Sequence, residues 1–138
     1  MSPDRRALVV DDDAGVRLLV KRILTRDGFD VDMAGDGAEA IEKILASDYA
    51  VIVLDLMMPR IDGRGVIRYL SNHAPGKLAN VIVMTAFGAS ALAEVSPPIG
   101  RFVEKPFDID RFLREVNEIM TRRRSHPSEG RSESEAHR

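Results

Sequence analysis

The feature that most constrains the fold of this chain is a set of short apolar runs separated by longer segments of helical periodicity. The strongest runs are residues 7–10, 51–54 and 81–84, and the last two consist largely of β-branched residues. They have the length of strands, whereas the segments between them place apolar residues three and four positions apart. This alternation is typical of βα units, in which helices cover both faces of a parallel sheet.

Two weaker runs complete the pattern. Residues 29–34 alternate apolar and acidic side chains, which predicts a half-buried edge strand, and residues 99–104 can form a short last strand. Four of the predicted helices have an apolar stripe on one face, and a fifth, short helix is predicted at residues 89–95. The four stripes, in chain order, are Val16, Leu19, Val20, Ile23 and Leu24; Ile41, Ile44 and Leu45; Val66, Ile67 and Leu70; and Ile109, Phe112, Leu113, Val116, Ile119 and Met120. We therefore predict an α/β fold of five βα units, with a doubly wound, five-stranded parallel sheet flanked by helices.

The size and composition of the chain limit its functions. A chain of 138 residues has room for one domain, which we place at residues 1–121. Residues 122–138 contain almost no apolar side chains and are predicted to form a disordered tail. The absence of cysteine excludes thiolate metal sites and cysteine nucleophiles. No apolar stretch could serve as a signal peptide or span a bilayer, which favours a cytoplasmic protein without membrane contact.

Charged residues are unevenly distributed along the chain. Residues 1–120 carry 15 basic and 19 acidic side chains, whereas residues 121–138 carry five arginines and three glutamates. The only basic run, Arg122-Arg123-Arg124, is interpreted as the end of the last helix. Because a basic face that could follow a phosphate backbone is missing, we expect no direct DNA binding.

Polar residues with possible chemical roles directly follow four of the predicted strands. Asp11 and Asp12 come after the first strand, Asp55 after the third, Thr85 after the fourth and Lys105 after the last. In open α/β sheets, ligands bind beyond the carboxyl ends of the strands. The sequence therefore predicts one crevice that contains carboxylates, a hydroxyl group and an ammonium group.

The carboxylates of this crevice predict a metal site. Asp11 and Asp12 are adjacent, and like charges at that distance are unfavourable unless a cation offsets them. With Asp55 they form a set of hard oxygen ligands without histidine or cysteine, which favours Mg²⁺. Asp13 is instead expected to cap the first helix.

Asp55 is a candidate nucleophile, because it follows four apolar residues and so emerges from a dry strand into the crevice. A carboxylate can attack phosphorus to form an acyl phosphate if the transferring oxygens are neutralised. Mg²⁺, the Lys105 ammonium and the Thr85 hydroxyl could each serve one oxygen. No general base is needed, since a carboxylate is ionised at neutral pH.

These residues stand in four local motifs that together resemble the receiver domain of bacterial response regulators, close to the chemotaxis-type, single-domain members. The motifs are Val9-Val10-Asp11-Asp12-Asp13, Asp55-Leu56-Met57-Met58-Pro59 with Asp62-Gly63, Met84-Thr85-Ala86, and Lys105-Pro106-Phe107. Asp12, Asp55, Thr85 and Lys105 are separated by 43, 30 and 20 residues. The resemblance extends from residue 6 to about residue 122.

The resemblance implies that Asp55 accepts a phosphoryl group from the phosphohistidine of a sensor kinase or a phosphotransfer protein. It also implies that Asp12 binds Mg²⁺ directly, that Asp11 binds it through water, and that the backbone carbonyl of Met57 is a further ligand. These assignments make Mg²⁺ the expected cofactor.

A conformational switch is also implied by the resemblance. Thr85 would move toward the acyl phosphate, and Phe102 would turn inward into the space that Thr85 leaves. From the residues alone, Phe102 could equally be an ordinary core aromatic of the last strand.

Two segments depart from the family pattern. Residues 86–101 contain Ser96-Pro97-Pro98-Ile99-Gly100 instead of a small-residue turn, which predicts a short fourth helix and leaves open whether the usual output face of the family is preserved. Met57 and Phe87 lie two residues beyond Asp55 and Thr85, at positions that tend to control access of water in this family. Both are apolar and cannot orient an attacking water, so we expect slow self-dephosphorylation.

The function predicted from these motifs is a stand-alone receiver that is a monomer or a weak homodimer and acts on another protein. It would catalyse only its own phosphorylation and dephosphorylation. A Mg²⁺-dependent phosphatase or phosphotransferase with an aspartyl-phosphate intermediate is the main alternative, although Met57 stands where such enzymes commonly have a second acid. A receiver-like module that does not accept phosphate is a third possibility.

Overall fold

A computed structural model describes residues 5–58, 61–86, 99, 101–106 and 108–125. Within these residues one parallel sheet contains β1 (Arg6–Val10), β2 (Asp30–Ala34), β3 (Val51–Asp55), β4 (Val81–Thr85) and β5 (Phe102–Glu104). The helices described are α1 (Ala14–Arg26), α2 (Gly37–Ala46), α3 (Gly63–His73) and α4 (Ile109–Ser125), with a 3-10 helix at Pro75–Asn80. The strand order β2-β1-β3-β4-β5 confirms the predicted doubly wound, parallel α/β fold.

Two apolar layers hold the helices on opposite faces of the sheet. Side chains alternate along each strand, so Leu8 and Val10 of β1 pack with α2 and α3, whereas Ala7 and Val9 pack with α1 and α4. The central strand β3 is buried along its whole length, as its run of apolar residues predicts. The sheet is thus covered on both faces, and polar residues meet at its carboxyl edge.

The predicted helix caps are confirmed. The Asp13 carboxylate accepts hydrogen bonds from two first-turn amides of α1 at 2.8 and 3.2 Å. Asp108 accepts a 2.9 Å hydrogen bond from an amide in the first turn of α4. Gly28 follows the end of α1 with a φ of 95°, a left-handed conformation that glycine adopts without steric cost.

Three residues assigned to buried helix faces are exposed instead. Leu19, Leu45 and Ile109 are 46%, 49% and 47% exposed. Leu19 precedes the fully buried Val20, and neighbouring helix positions point about 100° apart, so only one of them can face the sheet. Leu45 follows the fully buried Ile44 and therefore points away from the sheet in the same way. Ile109 lies one turn before the first buried residue of α4.

Element boundaries also differ from prediction at the two edge strands and at the last helix. β2 begins at Asp30 and β5 at Phe102, so both are shorter than the apolar runs that predicted them. The last helix continues to Ser125, and the predicted domain boundary at residue 121 therefore falls inside it. The predicted helix at 89–95 and the rest of the tail, residues 126–138, lie outside the described residues. None of the described helices is both long and apolar enough to cross a membrane.

The strands at the two edges of the sheet are β2 and β5. On β2, Asp30 is exposed, and the Asp32 carboxylate accepts hydrogen bonds of 2.6 Å from both Arg6 and Tyr49. Burial and the Asp32 carboxylate raise the pKa of Tyr49 to about 12, so its phenol stays protonated and keeps donating. β5 is only three residues long.

We expect Leu24→Ala to lower the free energy of unfolding by about 2–5 kcal/mol, because Leu24 is fully buried between α1 and the sheet. Leu19→Ala, in the same helix, should change it by less than about 0.5 kcal/mol. Urea denaturation followed by circular dichroism measures both values. Equal losses in the two variants would contradict the observed orientation of α1.

Candidate active site

The carboxyl ends of the parallel strands bring the predicted polar residues to one edge of the sheet. Asp55 is the last residue of β3 and Thr85 the last residue of β4. Asp11 and Asp12 directly follow β1, and Lys105 directly follows β5. Strands β3 and β4 are paired up to this edge, where Asp55 lies opposite Met84 of β4. The four charged residues Asp11, Asp12, Asp55 and Lys105 therefore lie together, whereas the expected place of the Thr85 hydroxyl in the same crevice stays a prediction.

Three carboxylates form the centre of the site. Asp11, Asp12 and Asp55 each offer an oxygen, and these oxygens all lie within 4.8 Å of one another. Asp11 and Asp55 are 2% and 4% exposed, whereas Asp12 is exposed at the mouth of the crevice. Two of the three charges are thus removed from solvent, which makes their repulsion costly.

Lys105 reaches across the site to both buried carboxylates. Its Nζ lies 2.8 Å from Asp11 Oδ2 and 3.5 Å from Asp55 Oδ2. Burial lowers the pKa of the Lys105 ammonium, but Asp11 and Asp55 outweigh burial and hold the pKa above its usual value. Lys105 is therefore a permanent positive charge between the two acids.

The environment of Asp55 disfavours its ionised form. Burial is the main cause, and the Asp11 carboxylate adds to it, so the pKa of Asp55 is raised to about 6. The N–H of Met57, which donates to Asp55 Oδ1 at 3.2 Å, and the Lys105 ammonium act in the opposite direction. They do not cancel the effect of burial, so the site is short of positive charge.

A divalent cation fits this arrangement. The donor set consists of carboxylate oxygens alone, which hard cations such as Mg²⁺ prefer. Asp11 Oδ2 pairs with Lys105, and Asp11 Oδ1 accepts a 2.9 Å hydrogen bond from the N–H of Asp13. Asp11 Oδ2 is buried and, apart from this ion pair, has no hydrogen-bond partner among the described residues, so it can still accept one from a metal-bound water. Ligation of Asp11 through water and of Asp12 directly stays a prediction. The Met57 carbonyl stays a predicted ligand.

The two predicted switch residues lie on neighbouring strands. Thr85 is fully buried, and its backbone carbonyl accepts a 2.8 Å hydrogen bond from the N–H of Lys105. Phe102 is partly buried against the core, with the Arg111 guanidinium 5.7 Å from its ring centroid. The movements expected of Thr85 and Phe102 remain predictions. Phe87 lies outside the described residues.

Arg17 belongs to the site but was not singled out from the sequence. Its Nη1 donates a 2.6 Å hydrogen bond to the backbone carbonyl of Asp11, which ties α1 to the loop that carries two of the acids. The signal that could have indicated Arg17 is a basic residue one turn after the Asp13 cap, on the side of the helix that faces the strand ends.

We expect Asp55→Asn to stabilise the metal-free protein by about 1–3 kcal/mol at pH 7. The folded-state pKa of Asp55, about 6, is above its ordinary value, so the ionised side chain weakens folding at neutral pH. Addition of Mg²⁺ should stabilise the unchanged protein more than the variant. Urea denaturation with EDTA or with Mg²⁺ measures this difference.

The matched control is Asp48→Asn, because the Asp48 side chain is 90% exposed and its ion pair with Lys77 spans 3.8 Å. A surface pair of this kind should contribute less than about 1 kcal/mol. A metal-free Asp55→Asn protein less stable than the unchanged chain would contradict the charge imbalance inferred for the site.

Comparison with known proteins identifies relatives of this chain. The family described as the response regulator receiver domain matches residues 7–117. The response regulator MprA of Mycolicibacterium vanbaalenii is 35% identical over 133 residues, which cover 95% of this chain and 56% of that protein. The chain thus spans about half the length of the curated relatives it matches.

Solved structures show the same fold. The receiver domain of the Francisella response regulator 1452 has a TM-score of 0.77 and 31% identity, over 86% of this chain and 98% of that one. The Thermotoga maritima response regulator TrrA, in complex with Mg²⁺-BeF, has a TM-score of 0.75 and 31% identity, over 83% and 98% of the two chains. Sequence and fold together place this chain in the response regulator receiver domain family.

Proposed function

We propose that Asp55 accepts a phosphoryl group, in the presence of Mg²⁺, from the phosphohistidine of a sensor histidine kinase or a phosphotransfer protein. The phosphorylated domain then acts in the cytoplasm as a switch or as an intermediate of a phosphorelay. One observation carries the proposal: the buried Asp55 carboxylate lies within 4.8 Å of Asp11 and Asp12 and 3.5 Å from the Lys105 ammonium. The Mg²⁺-BeF complex of TrrA supports it, since beryllium fluoride commonly stands in for a phosphoryl group.

In the proposed reaction an Asp55 oxygen attacks phosphorus while the bond from phosphorus to the histidine nitrogen breaks. The product is an acyl phosphate on Asp55 and a free imidazole on the donor. Bound Mg²⁺ would supply positive charge for the transferring phosphoryl oxygens. The chain itself supplies the nucleophile at a fixed strand end, so most of its contribution is position and electrostatics.

Lys105 and Thr85 are placed to stabilise the product. The Lys105 ammonium already lies between Asp11 and Asp55, so it can move to a phosphoryl oxygen while it stays paired with Asp11. Thr85 ends the strand next to β3, where its hydroxyl can donate a hydrogen bond to the same group. That bond would favour the phosphorylated conformation, as a switch requires.

Catalytic turnover of an outside substrate is not part of the proposal. The residue two positions beyond Asp55 is Met57, whose side chain is 43% exposed and offers no acid to protonate a leaving group. Its sulfur lies 3.9 Å from the Arg64 guanidinium, another group that is not an acid at neutral pH. We therefore propose that the chain catalyses only its own phosphorylation and dephosphorylation.

Acetyl phosphate and Mg²⁺ should add a single phosphate to the protein, and Asp55→Asn should abolish the addition. Intact-mass spectrometry measures both results, and omission of Mg²⁺ should reduce labelling strongly. Asp48→Asn, the exposed control, should be labelled like the unchanged chain. Multiple turnover of simple phosphate esters would favour the phosphatase alternative, and the absence of any adduct would favour a module that does not accept phosphate.

The acyl phosphate should persist with a half-life longer than about one minute, because the apolar Met57 cannot orient an attacking water. Met57→Gln adds an amide at this exposed position and should shorten the half-life several-fold, whereas Leu45→Gln on α2 should not. Loss of the phosphoryl group, followed by intact mass after removal of the donor, checks the expectation. Decay of the unchanged protein within seconds would refute it.

A further inference from the structure

The turn between β2 and α2 contacts both of the loops that carry acidic residues of the site. On one side, the carbonyl of Ala34 accepts a 3.2 Å hydrogen bond from the N–H of Asp11. Three residues later, Gly37 begins α2 and packs directly against the backbone of Ile61, in the loop that follows Asp55. This turn therefore spans the distance between the Asp11 loop and the Asp55 loop.

The contact at Gly37 leaves no space for a side chain. A Cβ atom on Gly37 would overlap the carbonyl oxygen of Ile61 and would stand 2.8 Å from both the carbonyl carbon and the Cβ of Ile61. Among the described glycines only Gly28 has a positive φ, so the backbone of Gly37 would accept another residue. Alanine is also the best helix former, so close packing is the reason for glycine at the first position of α2.

The loop against which Gly37 packs is held at both ends. We call the described residues Leu56, Met57, Met58, Ile61 and Asp62 the acceptor loop. The N–H of Gly63 donates a 3.0 Å hydrogen bond to the carbonyl of Leu56, which closes the loop. At its start, the N–H of Met57 donates to the Asp55 carboxylate at 3.2 Å. The Gly63–Leu56 hydrogen bond thus connects the side of the loop near Ile61 with the side that begins at Asp55.

We propose that Gly37 is a positioning residue that sets where the acceptor loop, which carries the predicted ligand Met57, lies beside the two acidic strand ends, and thereby the affinity of the site for Mg²⁺. The inference rests on the proposed function. Gly37 touches neither the metal nor the phosphoryl group; it lets the start of α2 seat against Ile61 while Ala34 holds Asp11. A side chain at position 37 would displace Ile61 or the start of α2, and because Ala40 and Ile44 of α2 belong to the core, stability has to be measured beside Mg²⁺ binding.

The test compares Gly37→Ala with Gly76→Ala in the full chain. Gly76 lies in the 3-10 helix, and a Cβ there would meet nothing within 4 Å, so it is the matched control. Mg²⁺ is titrated into ¹⁵N-labelled protein, and the dissociation constant is taken from the amide shifts of Asp12 and Met57. Thermal unfolding in EDTA and the circular dichroism spectrum report the fold separately.

We expect Gly37→Ala to remain folded and to bind Mg²⁺ about tenfold more weakly, the scale of effect seen when groups that orient metal ligands are changed. Gly76→Ala should bind within about twofold of the unchanged protein, as a distant surface change should. Unchanged Mg²⁺ affinity in Gly37→Ala, or an equal loss in Gly76→Ala, would overturn the proposal.

A second variant covers the case in which Gly37→Ala does not fold. Ile61→Gly loosens the same contact from the other side, and Ile61 is 38% exposed, so the core is preserved. It should also weaken Mg²⁺ binding several-fold, and an unchanged affinity would overturn the proposal. Failure of the proposed function would be distinct, because the unchanged chain would then show no Mg²⁺-dependent phosphorylation.

Discussion

Repulsion among three carboxylates at one edge of the sheet is the constraint on which this site depends. Parallel strands end at the same edge, so the residues that follow β1 and β3 are forced together whatever their charge. Burial of the apolar strands and helices stabilises the fold enough to tolerate this arrangement. Lys105, which follows the last strand, offsets part of this negative charge. The remaining deficit is what makes a divalent cation a favourable occupant.

The acceptor carboxylate shows how the fold and the chemistry are connected. Asp55 is held at the end of β3, which is buried along its whole length, and the Met57 amide donates a hydrogen bond to its carboxylate. The same burial that raises its pKa strengthens its interaction with any nearby cation, because charges attract more strongly in a medium of low dielectric constant. A single structural cause therefore accounts both for the cost of the metal-free site and for its attraction to a cation.

Much of the fold and of the site could be predicted from the sequence, because both depend on local signals. The β-branched runs define the central strands β3 and β4, and Asp55 and Thr85 were identifiable because they end these strands. Lys105 was identifiable because it follows the shorter last strand. The rotation of each helix about its own axis, which decides which side chains face the sheet, was less predictable. Leu19 and Val20 are equally apolar neighbours, and only packing against the sheet decides that Val20 is buried.

Contacts between distant parts of the chain could not be predicted in this way. The role of Arg17 depends on a backbone carbonyl across a loop, and that of Gly37 depends on the carbonyl of Ile61. A glycine before a helix is read as a turn residue from sequence alone, since nothing local distinguishes conformational freedom from lack of space. Such positions become visible only when the neighbouring loop is known.

The edges of the sheet have a consequence for the behaviour of the domain in a crowded cell. Unpaired edge strands invite pairing with other chains, which can lead to aggregation. Here β5 is three residues long, and β2 carries Asp30 and the engaged carboxylate of Asp32 along its length. A foreign strand approaching β2 would have to desolvate charge, and one approaching β5 would find few hydrogen-bonding partners. Both edges of the sheet therefore resist extension by a further strand.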